Sequence, residues 1–329
     1  MNDRFHTDDD QQLDEDLATA AALIGAAGQV ALACHVAPDG DALGSMLALH
    51  HVLRGAGHNS VAGFAGTQVT GPHYRELPGL DLLCDPLDYP ADPEIMVTLD
   101  CGSLGRLGDL AVNAKAAKEL VVVDHHVSNT RYGSIHLVDP KAAASAVVVV
   151  RLIDALGLPL NRDAAVCLYA GLVCDTGRFQ YESTTTEAFD LARRLLEFDV
   201  PVARLNRVLF EEHRLAYLRL VGTVLSRAEY VADHKFIWAA VTEAELAEYD
   251  VTIEETEGLI DFLRQAKEAE VSCVLKEADG HVRVSLRSMG HVDVSAVAAL
   301  LGGGGHRFAA GFTTTEPIGR VVETILRAL

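Results

Sequence analysis

From about residue 17 to residue 200, short apolar runs rich in β-branched residues alternate with longer helical stretches. The runs at 30–34, 61–65, 95–99, 120–123 and 135–138 lack a polar alternate face. Strands buried on both faces of a parallel sheet show this pattern. Helices are expected at 42–54, where Gly55 and Gly57 act as stop signals, and at 142–156 and 187–197. Strands alternating with helices indicate an α/β fold around a parallel sheet. After about residue 215 the pattern changes. Residues 221–231 and 235–241 read as paired strands, with Trp238 as core, and 257–269 as an amphipathic helix. Residues 271–277 and 281–287 read as a hairpin closed by Ala278-Asp279-Gly280. Along its second strand Val282, Val284 and Leu286 share one face, and Arg283, Ser285 and Arg287 share the other. Val200-Pro201 breaks the helical pattern and marks a boundary. The organisation expected is a disordered tail over 1–16, a first domain over 17–200, a linker over 201–214 and a smaller α/β domain over 215–329.

Composition narrows the chemistry. The chain has 329 residues, 49% of them hydrophobic, enough for two cores of ordinary size. No apolar run reaches the roughly 18 residues that span a bilayer. The start is acidic, with seven Asp and Glu in residues 1–16, and lacks the basic and apolar regions of a signal peptide. A cytoplasmic location away from membranes is therefore expected. The six cysteines are scattered without a Cys-x-x-Cys pair, as reduced thiols would be. Cys34, Cys101 and Cys174 adjoin residues considered below as ligands, but strand neighbours point to opposite faces, so they read as small buried hydrophobes. The formal net charge of −20 opposes binding of a long polyanion. A phosphate-bearing substrate should be small and gripped locally.

Four segments carry candidate chemistry. His35, Asp39 and Asp41 lie on a Pro- and Gly-containing turn after the first strand. Open α/β sheets place their ligands at that carboxyl end. Asp100 ends the run 95–99, Asp124-His125-His126 ends the run 120–123, and Asp175 follows the apolar stretch 166–174. One acid at a strand end is ordinarily a turn former or helix cap. Four segments bringing Asp and His to one sheet edge would bury several carboxylates, at several kcal/mol each without cations. Asp39, Asp41, Asp100 and Asp175 carry four negative charges, which two divalent cations balance, and His35 and His125 add neutral nitrogen donors. Carboxylate and imidazole without thiolate suits Mn²⁺, with Mg²⁺ or Co²⁺ as substitutes.

This ordered set of motifs resembles the DHH phosphoesterases. The segment from Gly302 to Gly311, GGGGHRFAAG, resembles the glycine-rich signature of the DHHA1 domain that accompanies them, and Val284-Ser285-Leu286-Arg287-Ser288 matches its substrate-facing strand. The resemblance runs from about residue 17 to the C-terminus and is nearest to the nano-RNase and pAp-phosphatase branch. It implies a catalytic parallel-sheet domain, a smaller substrate-binding domain and an active site in the cleft between them. It implies His35, Asp39, Asp41, Asp100, His125 and Asp175 as metal ligands, with Asp100 bridging. Asp124 would orient a following His, and His126 would contact the scissile phosphate. Arg287, Ser288, Gly303, Gly304 and His306 would hold the rest of the substrate. The implied substrates are short RNAs, linear dinucleotides, 3′-phosphoadenosine 5′-phosphate and, in some members, cyclic dinucleotides such as c-di-AMP. A homodimer is also implied.

Two other functions remain open on sequence: a polyphosphate or pyrophosphate hydrolase with the same metals, and a nucleotide sensor without turnover. The complete ligand set weighs against the sensor. His50 and His51 are assigned to the favourable C-terminal end of a helix. The roles of Arg106, Arg178, Ser128 and Asn129 are left open, since each can touch phosphate or serve the local fold.

Overall fold

The computed structural model describes residues 8–66 and 70–329, with the side chains of residues 8 and 9 excepted. These residues form two compact units. The first comprises the described residues up to Leu209 except Gly71–His73, and the second comprises Gly71–His73 and Phe210–Leu329. No helix among the described residues is long and apolar enough to cross a membrane.

The first unit is built on a five-stranded, wholly parallel sheet in the order β2-β1-β3-β4-β5. The strands are β1 Val30–Cys34, β2 Ser60–Gly63, β3 Ile95–Leu99, β4 Glu119–Asp124 and β5 Ile135–Val138. Each lies within about three residues of its apolar run. The helices are α1 Asp8–Ala26, α2 Gly40–Gly55, α3 Ala111–Ala116, α4 Ser145–Ala155, α5 Arg162–Asp175, α6 Thr186–Leu196 and α7 Val202–Phe210. The strand order reverses direction between β1 and β3, and loops leaving such a point diverge to opposite faces, opening a ligand crevice.

Three expectations change here. The acidic tail is helical from Asp8, because Leu17, Ala20, Ala21 and Ile24 recur at helical spacing and bury one stripe of α1. Residues 1–7 of that tail lie outside the described residues. The stretch expected as a linker carries α7, whose Leu205, Val208 and Leu209 are buried. Asp175 ends a helix, since the apolar stretch before it belongs to α5. Helices α2 and α5 pack backbone to backbone. A Cβ on Gly44 would stand 2.4 Å from the Cys167 carbonyl, and one on Gly171 would stand 2.6 Å from Asp41 Oδ1.

The second unit holds a six-stranded sheet in the order β10-β11-β9-β8-β7-β6. Its elements are α8 Leu215–Ser226, β6 Glu229–Val231, β7 Phe236–Val241, α9 Glu243–Tyr249, α10 Leu259–Leu263, β8 Val271–Ala278, β9 His281–Ser288, α11 Val294–Leu300, β10 Gly304–His306, β11 Ala309–Thr314 and α12 Ile318–Ala328. The pair β7–β8 is parallel and the other pairs are antiparallel. The expected hairpin is β8–β9, with Asp279 and Gly280 at φ 53° and 73°, as a mirror-image two-residue turn requires. The segment expected as one strand over 221–231 is mostly helix α8. Tyr217, Leu220, Val221 and Val224 are spaced at three and four residues and buried together. The amphipathic helix expected over 257–269 shortens to α10, and Trp238 packs partly buried against the core, as read. One apolar core lies between the sheet and α11 and α12, and a second lies beneath α8 and α10.

Candidate metal centre

The four sequence segments converge in the first unit. His35 follows β1, and its Nδ1 donates to the Val36 carbonyl at 2.9 Å, which presents Nε2 as a ligand atom. That Nε2 stands 3.8 Å from Asp39 Oδ2 and 3.8 Å from Asp100 Oδ2. Asp39 is also the N-cap of α2, its Oδ1 accepting from the amides of Asp41 and Ala42 at 3.1 and 3.0 Å. Asp100 follows β3 at φ 54°, a left-handed backbone that Asp tolerates better than most residues, and its amide donates to the Val123 carbonyl.

On the other side of Asp100, His125 Nδ1 donates to the Ala142 carbonyl at 3.1 Å. His125 Nε2 then faces Asp175 Oδ2 at 2.9 Å, Asp100 Oδ1 at 3.6 Å and Asp41 Oδ2 at 3.9 Å. The donors thus sort into two sets, His35/Asp39/Asp100 and Asp41/His125/Asp175, each with its ligand atoms mutually within 4.8 Å. Asp100 turns one carboxylate oxygen to each set. Asp175 reaches His125 from the end of α5, and the glycine-mediated contact of α2 and α5 brings Asp41 and Asp175 to the same ring.

The electrostatics fit bound cations. Burial raises Asp100 to about 6, with the Asp39 charge adding to the shift and the two imidazoles opposing it. Burial, then Asp100 and Asp175, push Asp41 well above the ordinary carboxylate range. Burial works against charging His125, but Asp175, Asp100 and Asp41 outweigh it and raise the ring well above the ordinary imidazole range. Without cations the cluster keeps protons to limit its own repulsion, and oxygen and nitrogen donors so arranged suit divalent ions. The neighbouring thiols are elsewhere engaged. Cys101 donates to the Ser103 carbonyl and burial raises it to about 11, while Cys174 packs against Gly40.

A second layer of groups holds the donors. Asp124 Oδ1 accepts from His126 Nδ1 at 2.7 Å and from the His125 amide at 2.8 Å. Its Oδ2 accepts from Asn129 Nδ2 at 2.5 Å, which gives Asn129 a structural role that sequence left open. Sequence reading missed Ser145, the first residue of α4. Its amide donates to Asp41 Oδ2 at 2.5 Å and its hydroxyl to Asp100 Oδ1 at 2.8 Å, while the Ala146 amide donates to Asp41 Oδ1 at 3.1 Å. A serine opening an apolar helical run was the available signal. Arg178 is exposed in a left-handed turn formed with Gly177 and Phe179 just after Asp175. His50 is buried and its Nδ1 meets the Ser60 hydroxyl at 2.9 Å, so packing explains it instead of the helix dipole.

The substrate candidates of the second unit do not all share one face. His306 pairs with Ala309 and Ala309 with Arg287, so His306 and Arg287 stand in one row on the same side of the sheet. Gly304 lies in the next row on that side, and a Cβ there would meet nothing within 4 Å. Gly303 is a packing glycine, since its Cβ would stand 2.2 Å from the Gly311 carbonyl. Ser288 is a correction. Strand alternation turns it to the face opposite Arg287, where it is buried and its hydroxyl donates to Glu270 Oε1 at 3.0 Å.

Residues 29–172 match the DHH family, N-terminal domain, and residues 233–329 match the DHHA1 domain. The chain is 34% identical over 288 residues to the bifunctional oligoribonuclease and PAP phosphatase of Thermus thermophilus, covering 87% of this chain and 84% of that protein. It is 28% identical over 295 residues to a probable bifunctional oligoribonuclease and PAP phosphatase of Streptococcus mutans, covering 89% and 92%. The crystal structure of an exopolyphosphatase-related protein from Bacteroides fragilis superposes with a TM-score of 0.86 at 24% identity, over 96% of this chain and 95% of that one. The last likeness concerns the fold alone.

Proposed function

The chain belongs to the DHH family of phosphoesterases and carries a DHHA1 domain, and on that premise we propose that it hydrolyses short oligoribonucleotides and linear dinucleotides to nucleoside 5′-monophosphates and 3′-phosphoadenosine 5′-phosphate to AMP. The observation that carries the reading is Asp100, whose two carboxylate oxygens face His35 and His125 at 3.8 and 3.6 Å, one from each donor set. His35, Asp39 and Asp100 would hold one divalent cation and Asp41, His125 and Asp175 the other, with Asp100 shared and Mn²⁺ the ion this donor set suits best. Cations held there would supply positive charge to polarise the phosphoryl group and activate water.

The chain's own groups supply orientation. Asp124 fixes the His126 ring through Nδ1, so Nε2 is the ring atom it presents to an oxygen of the scissile phosphate. Ser145 and the first amides of α4 keep Asp41 and Asp100 in place as substrate charge enters. Arg287 and His306 would hold the rest of the substrate. With a net charge of −20, the chain favours short substrates over long polyanions. We further infer a homodimer, on the resemblance to related enzymes.

A substrate panel tests the proposal, with Mn²⁺ present: a linear dinucleotide, a cyclic dinucleotide, 3′-phosphoadenosine 5′-phosphate and pyrophosphate. Turnover of the dinucleotide and of 3′-phosphoadenosine 5′-phosphate is expected. Turnover of pyrophosphate alone would replace this reading with a pyrophosphatase, and tight binding without turnover of any would replace it with a sensor.

A further inference from the structure

On one face of β8, β9, β11 and β10, covered along β8 by α8 and α10 and more open along the other three strands, the residues are ordered in rows that cross the strands. One row runs Ser272, Arg287, Ala309, His306. The next runs Val274, Ser285, Gly311, Gly304, and the third runs Lys276, Arg283, Thr313. Successive rows on one face are two residues apart, about 6.8 Å along the strand. Two cationic rows therefore flank a middle row that narrows to serine and glycine. That separation is of the order of one nucleotide step along an extended strand.

The third row is chemically unusual. Lys276 is 7% exposed, stands directly opposite Arg283, and forms no salt bridge among the described residues. Like charges facing each other across a strand pair are destabilising, and burying a cation that no salt bridge neutralises adds to that cost. Burial lowers the Lys276 ammonium to about 8. The Glu257 and Glu254 charges oppose that shift and the Arg283 and Arg287 charges reinforce it. In a chain with 47 acidic residues against 27 basic ones, three cations gathered on one sheet face mark a place where an anion relieves the repulsion.

We propose that Lys276 and Arg283 form a second phosphate subsite, which takes a further phosphate one nucleotide step from the group held by Arg287 and His306. The inference rests on the proposed function and deepens it. The enzyme prefers short substrates that carry a terminal phosphate beyond the scissile one, and Ser285, Gly311 and Gly304 form the floor over which the intervening nucleotide lies.

The test compares a plain dinucleotide with the same dinucleotide bearing an added 5′- or 3′-terminal phosphate, in wild-type enzyme and in Lys276→Met, Lys276→Arg and Arg283→Ala. For the phosphorylated substrate, Lys276→Met and Arg283→Ala should each raise KM about tenfold or more with kcat kept, the loss of one charge-assisted contact. KM for the plain dinucleotide should change less than about twofold, and Lys276→Arg should restore most of the preference. Should Lys276→Met fail to fold, Arg283→Ala carries the same comparison. Equal losses on both substrates would assign the row to folding and overturn the subsite, as would unchanged KM ratios in enzyme that hydrolyses dinucleotides normally. Wild-type enzyme that hydrolyses neither dinucleotide would remove the proposed function, and this subsite with it.

Discussion

Ser145 donates its hydroxyl to Asp100 Oδ1 at 2.8 Å, while its amide donates to Asp41 at 2.5 Å, so one residue steadies a carboxylate in each donor set. Ser145→Ala keeps the amide contact and removes the hydroxyl contact. Groups that orient metal ligands typically contribute about 10–100-fold in affinity or activity. The expected outcome is a loss of that size in kcat/KM, part of it recovered at high Mn²⁺. A titration of rate against Mn²⁺ checks it, and an unchanged curve would leave Ser145 as an ordinary helix start.

Asp100→Asn preserves shape and removes the charge shared by both sets. Turnover should fall by far more than 100-fold, beyond what loss of an orienting group produces. Elemental analysis beside single-turnover rates gives the readout. Wild-type turnover in folded Asp100→Asn protein would sink the two-metal assignment.

Arg287→Ala removes a charge-assisted contact on a strand remote in sequence from every metal donor. A loss of about 1.5–3 kcal/mol, roughly tenfold to hundredfold in kcat/KM, is expected with dinucleotides. A chromogenic phosphodiester without a second nucleotide should lose less, and bound Mn²⁺ should not change. Parallel losses on both substrates, or depleted metal, would show that Arg287 serves the fold instead.

Substrate length offers an independent check. Rates on a ladder of RNAs should fall steeply beyond a few nucleotides, because the acidic surface repels added phosphates. Processive digestion of long RNA at physiological salt would contradict this.

His50 yields a stability prediction. Burial, with the Arg54 and His51 charges adding, lowers it to about 4 from the ordinary 6.5. The unfolded chain therefore binds a proton that the folded one refuses between those values. The stability attached to the neutral ring is present above about pH 6.5 and is lost as pH falls towards 4, by about 3 kcal/mol in the limit. Urea unfolding at pH 7 and pH 4.5 should show a smaller acid penalty in His50→Gln than in wild type. Equal penalties would mean that the buried carboxylates alone set the acid response.

Sequence by itself determined the parallel sheet and the β8–β9 hairpin and singled out the candidate metal donors, because each is signalled by residues close together in the chain. The five β-branched runs correspond to β1 through β5, and Asp279-Gly280 occupies the left-handed turn such a pair selects. His35, Asp100 and Asp124 were legible because they directly follow or end strands whose carboxyl ends share one edge. Strand alternation also carried Ser288 to the face of Leu286, a consequence the motif resemblance obscured. Only the tertiary structure decided the rest. That Asp175 approaches from a helix depends on α2 and α5 touching at Gly44 and Gly171, a contact between segments over 120 residues apart. Ser145 gained its partners from strands and helices far behind it in the chain, and Lys276 met Arg283 only through register. Local patterning specifies what an element is, whereas the partners of a polar side chain depend on which backbones pack closely, and no short window of sequence contains that information.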